Sequence, residues 1–422
     1  MKPLSERTNG RFVESDLDMS KQQLPKGIAL TVLNEDYRAD PYPILDRIRE
    51  ETALHHDDEL NQYIVTHHND VKSILRDKEM WTDPRKGKPG SFIYELLGGN
   101  DPDNEPSMLL MDQPDHRRLR SLVSKAFMPA AVEKWRPRTI EVVSRILDKI
   151  QNAEFDLIRD FANPIPTVVI AELLGIDATH HDDFKTWSDA AVKTAFSPFP
   201  DPEDVKLADT AQEKLNQFFE AEIKNRRRNL GDDLLSDLIR AEEAGDKLSE
   251  FELIGQCNLM LVAGNVTTTD LIGNGVKALL DNPEQLAKLR NNPDLIKNGV
   301  EEILRFDSPV LNSARIPNRD MAVQGCPVRT GESVLLSLAS ANHDPAVYPD
   351  PQTFDIERLD THHQSFGGGR HTCLGAPLAR LEAQEAILAL IQRFPKLKHS
   401  NKGYVRATVP SFRGLESFWV KQ

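Results

Sequence analysis

The stretch FGGGRHTCLG, Phe366 to Gly375, joins four glycines, a cysteine and the start of a helix. Cys373 is one of three cysteines, with Cys257 and Cys326, and the three form no CxxC pair and no even framework. That pattern argues against disulfides and a zinc ribbon and fits a reducing cytoplasm. A cysteine just ahead of a helix sits under unpaired backbone N–H groups and the positive end of the dipole. Both favour the thiolate over the thiol. The glycines before it let the backbone approach something large and flat without Cβ clashes. Such a loop suits an anionic sulfur held against a bulky partner, and a thiolate is an axial ligand for haem iron. A buried, inert cysteine in a turn has the same local sequence, and the loop alone does not choose between the two. A phosphate cradle is poorly supported, because no GK[ST] is present and no βαβ strand precedes. A zinc site built from His362, His363, His371 and Cys373 matches no common spacing.

Three further groups could carry chemistry. His116 and Arg120 stand i and i+4 on one helix and point the same way. With Arg315 and His371 they could surround a pair of carboxylates, although each alone reads better as part of a solvated basic face. Glu302 and Arg305, in EEILRF, stand i and i+3. Read alone they are a surface pair, and with Arg358 they could form a buried network. AGNVTTTD lies in the middle of a long apolar segment. There Gly264 weakens the helix, and Thr267 can bond back to the carbonyl of Ala263. The combination predicts a kink or groove able to admit a small ligand such as dioxygen; a packing glycine with satisfied hydroxyls is the alternative.

The elements that must position these residues are mostly helical. The 422 residues suffice for one large core or two domains. Residues 40–51 read as a helix started by Asp40, 67–77 as a helix behind an Asn/Asp cap, and 112–127 as a helix capped by Asp112. Residues 130–150 and 208–228 follow as two more. Residues 249–281 make one long helix, apolar on most faces, that must run through the core. Strand signals are confined to 63–66, 313–340 and 404–420, and 82–108 reads as a long irregular loop. The fold class is mainly α with a minor β part. A polar arm over 1–25 precedes a single domain over 26–422. No apolar run is long enough to span a membrane, and the N-terminus lacks a secretory apolar core. The net charge of −14 makes nucleic acid a poor partner.

In this order the four pieces resemble the cytochrome P-450 family, from about residue 35 to the end, in its soluble bacterial form. Phe366, Gly369, His371, Cys373 and Gly375 fall on the haem-ligand signature, and Ala379-Arg380 continues it. Glu302, Arg305 and Arg358 match the Glu-x-x-Arg element and its arginine. AGNVTT matches the oxygen-binding stretch, and DHRRLR matches the helix whose His and Arg hold a haem propionate. The resemblance implies a fold with a long central helix crossing the haem, and haem b with Cys373 as axial ligand. It implies that His116, Arg120, Arg315 and His371 neutralise the propionates. Ala263, Gly264 and Thr267 would then form the oxygen site. One departure stands out: Val266 occupies the position where the family usually has Asp or Glu before the threonine, and Asp270 is the nearest carboxylate in sequence.

The activity implied is cytoplasmic monooxygenation of a hydrophobic small molecule such as a terpenoid, steroid, fatty acid or aromatic. The pocket would be lined by Phe92, Ile93, Tyr94, Val262, Ala263, Val266, Val310, Leu311, Val409 and Phe412. Dioxygen is the co-substrate. With no fused flavin or iron–sulfur domain, electrons would come from a ferredoxin and its reductase, guided by Arg117, Arg118, Lys125 and Arg370. No membrane anchor and no nucleic acid are implied. A peroxide-driven oxygenase of the same fold and a haem sensor without turnover are the alternatives.

Overall fold

The computed structural model describes residues 23–101, 106–243 and 248–422. The predicted N-terminal arm lies outside the described residues up to position 22. The helix Glu250–Asp281 is the spine. Its start is fixed by a capping box: the Ser249 hydroxyl accepts from the Glu252 amide, and the Glu252 carboxylate accepts from the Ser249 amide. Leu253, Cys257, Leu261, Leu271, Ile272 and Val276 along it are all fully buried. The helices Pro164–Leu173, His181–Ala195 and Ala376–Arg393 pack around it. At Gly275 a Cβ would come within 2.9 Å of both Ile303 and Ile387, so glycine lets the helices Ile296–Phe306 and Ala376–Arg393 close on the spine.

Among the described residues, ten strands form the minor part. They are β1 (His55–Asp57), β2 (Gln62–Val65), β3 (Met80–Trp81), β4 (Glu154–Asp156), β5 (Asn312–Pro317), β6 (Met321–Val323), β7 (Cys326–Val328), β8 (Ser333–Ser337), β9 (Lys398–Arg406) and β10 (Leu415–Lys421). The largest sheet runs β1-β2-β8-β5-β3, a smaller one β4-β10-β9, and β6-β7 is a hairpin. β5 lies antiparallel to β8 with Arg315 opposite Val334, which carries Arg315 inward on a buried strand. The sequence reading missed β1, β3 and β4, each two or three residues long and too short to show a period.

Several local expectations are corrected. The stretch 130–150 is two helices, Pro129–Glu133 and Arg136–Lys149, because Pro137 begins a new first turn, where its missing N–H has no helical partner to lose. Asp112 does not cap the helix Asp115–Val123. Its carboxylate instead accepts from the Thr82 and Asp83 amides at 3.1 and 3.3 Å and from Lys86. The helix His68–Arg76 has no cap from its own sequence; Asp344, distant in the chain, accepts from the His68 amide at 2.9 Å. The loop over 82–108 holds a helical turn at Pro84–Lys86 and a short helix at Phe92–Leu96.

Candidate functional site

The cysteine loop is shaped by its own hydrogen bonds. The Gly367 amide donates to Gln364 O at 2.7 Å, and the Cys373 amide to Phe366 O at 2.8 Å. Gly369 has a φ of +66°, and a Cβ there would sit 2.4 Å from the Leu75 carbonyl oxygen. The close approach that demands glycine is therefore to the end of the helix His68–Arg76, not to an open face. Nothing lies within 4 Å of a Cβ at Gly375, so the loop borders open space there. The Cys373 side chain is accessible. Yet protein crowds it elsewhere, and this burial raises the thiol pKa; the Gly375 and Ala376 amides and Arg120 and Arg380 oppose the rise without cancelling it. Helix-start donors alone thus do not make the thiolate. A bound metal cation would.

Four basic groups gather beside this hollow. The His116 and His371 rings lie 4.1 Å apart, centroid to centroid. His371 Nε2 is 3.0 Å from Thr82 Oγ1, and Gln113 donates to His116 Nδ1 at 3.3 Å. Arg120 donates to Thr372 O at 2.6 Å, and Arg315 to Ala314 O and Ser313 Oγ at 2.7 and 3.0 Å. Among the described residues, none of the four is ion-paired with a carboxylate. Burial, reinforced by the neighbouring cations, lowers His116 to about 4 and His371 to about 3, and burial with the nearby Arg370 charge lowers Arg315 to about 10. The nearby Asp112 pulls His116 and Arg315 the other way, but it already serves Thr82 and Lys86. Partly desolvated cations without an anion are costly. The cluster fits a dianionic group lying next to the cysteine sulfur, as the two propionates of a haem would.

The spine carries the predicted oxygen-site residues. Ala263 is exposed although Leu261 and Asn265, two residues to either side, are fully buried. Thr267 Oγ1 donates to Ala263 O at 3.1 Å, as the sequence predicts. The helix runs without a break from 250 to 281. The opening comes from the small Ala263 side chain facing empty space. Gly264 is turned toward Ile170, where an added methyl would make ordinary contact at 3.5 Å. Val266 and Thr267 are half-buried. Asp270 is buried against Gly414, and burial raises its pKa to about 8. Its carboxyl is packed against the tail of the chain, so it does not take the place of an acid at 266.

Behind the cysteine loop, Arg305 grips Glu302 through Nε at 2.7 Å and Nη2 at 2.8 Å, and Arg358 Nε adds a bond at 3.2 Å. Both members of the first pair are fully buried, so the surface-pair alternative is overturned. Glu301, the preceding residue, receives Arg380 bidentately at 2.6 and 2.8 Å and His363 at 3.2 Å. The three histidines weighed for zinc diverge: His363 faces Glu301, His371 faces His116, and His362 is exposed beside Asp360.

Of the predicted pocket residues, Phe92 and Leu311 line a hollow at the end of the large sheet, together with Pro410, Leu335, Leu30 and Phe196. Ile93 is buried in the sheet edge, its amide bonded to Ser333. Val310 pairs with Phe412 through an isolated β-bridge, and the Phe412 ring meets Phe196 at 5.8 Å. The residues 27–37 and Phe196 were not foreseen. Phe196 follows a polar helix, and no local pattern marks it.

The sequence model of the family described as Cytochrome P450 matches residues 58–403. Cytochrome P450 monooxygenase PikC of Streptomyces venezuelae is 38% identical over 410 residues, 94% of each chain. The biotin biosynthesis cytochrome P450 of Bacillus subtilis (strain 168) is 36% identical over 403 residues, 93% of this chain and 99% of that one. The crystal structure of P450BioI in complex with hexadec-9Z-enoic acid ligated acyl carrier protein superposes with a TM-score of 0.84 at 36% identity, covering 92% of this chain and all of the other.

Proposed function

The chain belongs to the cytochrome P450 family and is a haem-thiolate monooxygenase, and from that premise we propose that Cys373 is its axial ligand and that it hydroxylates a hydrophobic small molecule with electrons from a ferredoxin and its reductase. The observation that carries this reading is the juxtaposition of one accessible cysteine with four basic groups that lack an acid.

When bound, haem supplies the activation of dioxygen. The chain's own residues do the rest. The Gly375 and Ala376 amides hold negative charge on Cys373 Sγ. His116, Arg120, Arg315 and His371 would hold the propionates. Ala263, with no side chain beyond Cβ, would leave room for dioxygen beside Thr267. Thr267 holds its hydroxyl proton toward Ala263 O, and its Oγ1 lone pairs stay available to a donor in the groove. Val266 keeps a proton-relaying carboxylate away from this point.

Phe92, Leu311 and Phe412 make the approach apolar, which supports a hydrophobic substrate with few polar anchors. Terpenoid, steroid, fatty-acid and aromatic compounds all suit it. On the cysteine side, Arg117 and Lys125 are exposed and support docking of an acidic ferredoxin. Arg118 serves the fold instead, being paired with Glu252 at the start of the spine. A second reading, peroxide-driven oxygenation, is favoured by Val266 together with the sequestered Asp270. Reconstitution with a ferredoxin, its reductase and a panel of apolar compounds tests the proposal. Oxygen from dioxygen in the product, dependent on the electron donors, is the expected result. Equal turnover with peroxide alone would replace it with the second reading.

A further inference from the structure

Phe366 and Arg380 make a contact that neither haem binding nor the buried network requires. The Arg380 guanidinium carbon lies 4.5 Å from the centre of the Phe366 ring. Phe366 is part of the cysteine loop, and its carbonyl accepts from the Cys373 amide at 2.8 Å. The cation is fixed in place. Arg380 Nε and Nη2 donate to the two Glu301 oxygens at 2.6 and 2.8 Å, a planar bidentate pair. Glu301 is fixed in turn by His363. The Ser365 amide donates to His363 Nδ1 at 3.2 Å, so the neutral ring carries its proton on Nε2, which donates to Glu301 at 3.2 Å. The His363 side chain is only 3% exposed, and its ring also flanks Phe366 at 5.8 Å. Burial would raise the Glu301 pKa, but the bonds from His363 and Arg380 hold it at about 2, so the carboxylate stays charged.

One cation is thus held on the cysteine loop, and one anion is held behind it. We propose that Arg380 and Glu301 are positioning residues that set the reduction potential of the iron bound by Cys373, Arg380 raising it and Glu301 lowering it. This rests on the reading of Cys373 as the axial ligand. Reduction adds one electron to the ferric site, so the site becomes one charge more negative; the electron comes from the protein redox partner. A nearby cation stabilises the reduced form more than the oxidised one, and an anion does the reverse. The Phe366 ring, 4.5 Å from the guanidinium carbon, holds the cation against the loop. Arg380 is 34% exposed, so part of its charge is screened, and Glu301 is 23% exposed.

The test is a potentiometric titration of the full-length, haem-loaded protein, with dithionite as reductant and mediator dyes, on the wild type, Arg380→Gln, Arg380→Lys and Glu301→Gln. At a fixed ambient potential the ferrous-to-ferric ratio should fall about threefold in Arg380→Gln and rise about threefold in Glu301→Gln, with Arg380→Lys close to wild type. Opposite signs are what charge predicts and what a loosened loop does not. Shifts of the same sign, or no shift in either, overturn the proposal. If Glu301→Gln does not fold, the Arg380 pair decides: Lys and Gln variants with equal potentials overturn it. The reduced, carbon monoxide-bound spectrum of each variant is read alongside. Loss of the strongly red-shifted band already in the wild type would instead overturn the assignment of Cys373.

Discussion

Arg305 donates to both carboxylate oxygens of Glu302, at 2.7 and 2.8 Å, and neither side chain has any exposed surface. Arg305 spends its remaining donors on the carbonyls of Asn342, Pro351 and Thr353, so one guanidinium ties a helix to the loop that leads to the cysteine. Removing one charge of such a pair leaves the other buried without compensation, a loss of about 3–5 kcal/mol. Glu302→Gln should therefore lower the urea midpoint of unfolding sharply. A midpoint within experimental error of wild type would contradict the structural role.

The imidazoles of His116 and His371 should make the haem-free protein acid-sensitive. Their folded pKa values, about 4 and about 3, lie below the ordinary 6.5. The unfolded chain therefore binds more protons than the folded one once the pH drops through 6.5. Their contribution to stability is complete above that pH and is lost as the pH falls toward the folded values. Propionates would supply the missing anions and raise both values. Melting temperature measured from pH 7 to 4 should fall more steeply for haem-free than for haem-loaded protein, and haem-free His116→Gln/His371→Gln should fall less than haem-free wild type. Parallel curves for all three would mean that no acidic group binds there.

Val266 carries no acid, and Asp270 is buried against Gly414, so neither of these two positions offers Thr267 a free carboxylate. With proton delivery left to the threonine and water, peroxide is expected to escape more often. Val266→Asp should raise product formed per electron consumed. Unchanged coupling would show that the acid is dispensable in this chain.

Phe196 and Phe412 touch at 5.8 Å, joining the end of one helix to the tail loop beside the apolar hollow. The tail is held from behind: Arg413 bonds Asp307, and Asn274 donates to the Arg413 carbonyl at 2.7 Å. Of the two rings, Phe196 therefore has the fewer anchors. Phe196→Ala should speed association of bulky apolar azoles several-fold, read by stopped-flow absorbance. An unchanged rate would place the approach elsewhere.

Much of this site was legible because its chemistry depends on short spacings. The i, i+4 bond from Thr267 to Ala263, the i, i+3 pair of Glu302 and Arg305, and the cysteine ahead of its helix are each set by local geometry. What was not legible depends on distant partners. Asp344 caps a helix nearly three hundred residues away, Asp112 turns from its own helix to Thr82, and Gly369 is required by the Leu75 carbonyl. No local period carries such information. The same holds for Asp270, the nearest carboxylate to Thr267 in sequence. Its carboxyl instead rests against Gly414, in the tail of the chain.

The most direct test of the account is the absorption spectrum of the reduced, carbon monoxide-bound protein, recorded for wild type and for Cys373→His. Thiolate ligation by Cys373 predicts the strongly red-shifted Soret band in the wild type and its loss in the variant. A wild-type band at the position typical of histidine or thiol ligation, or a red-shifted band that survives Cys373→His, would contradict it.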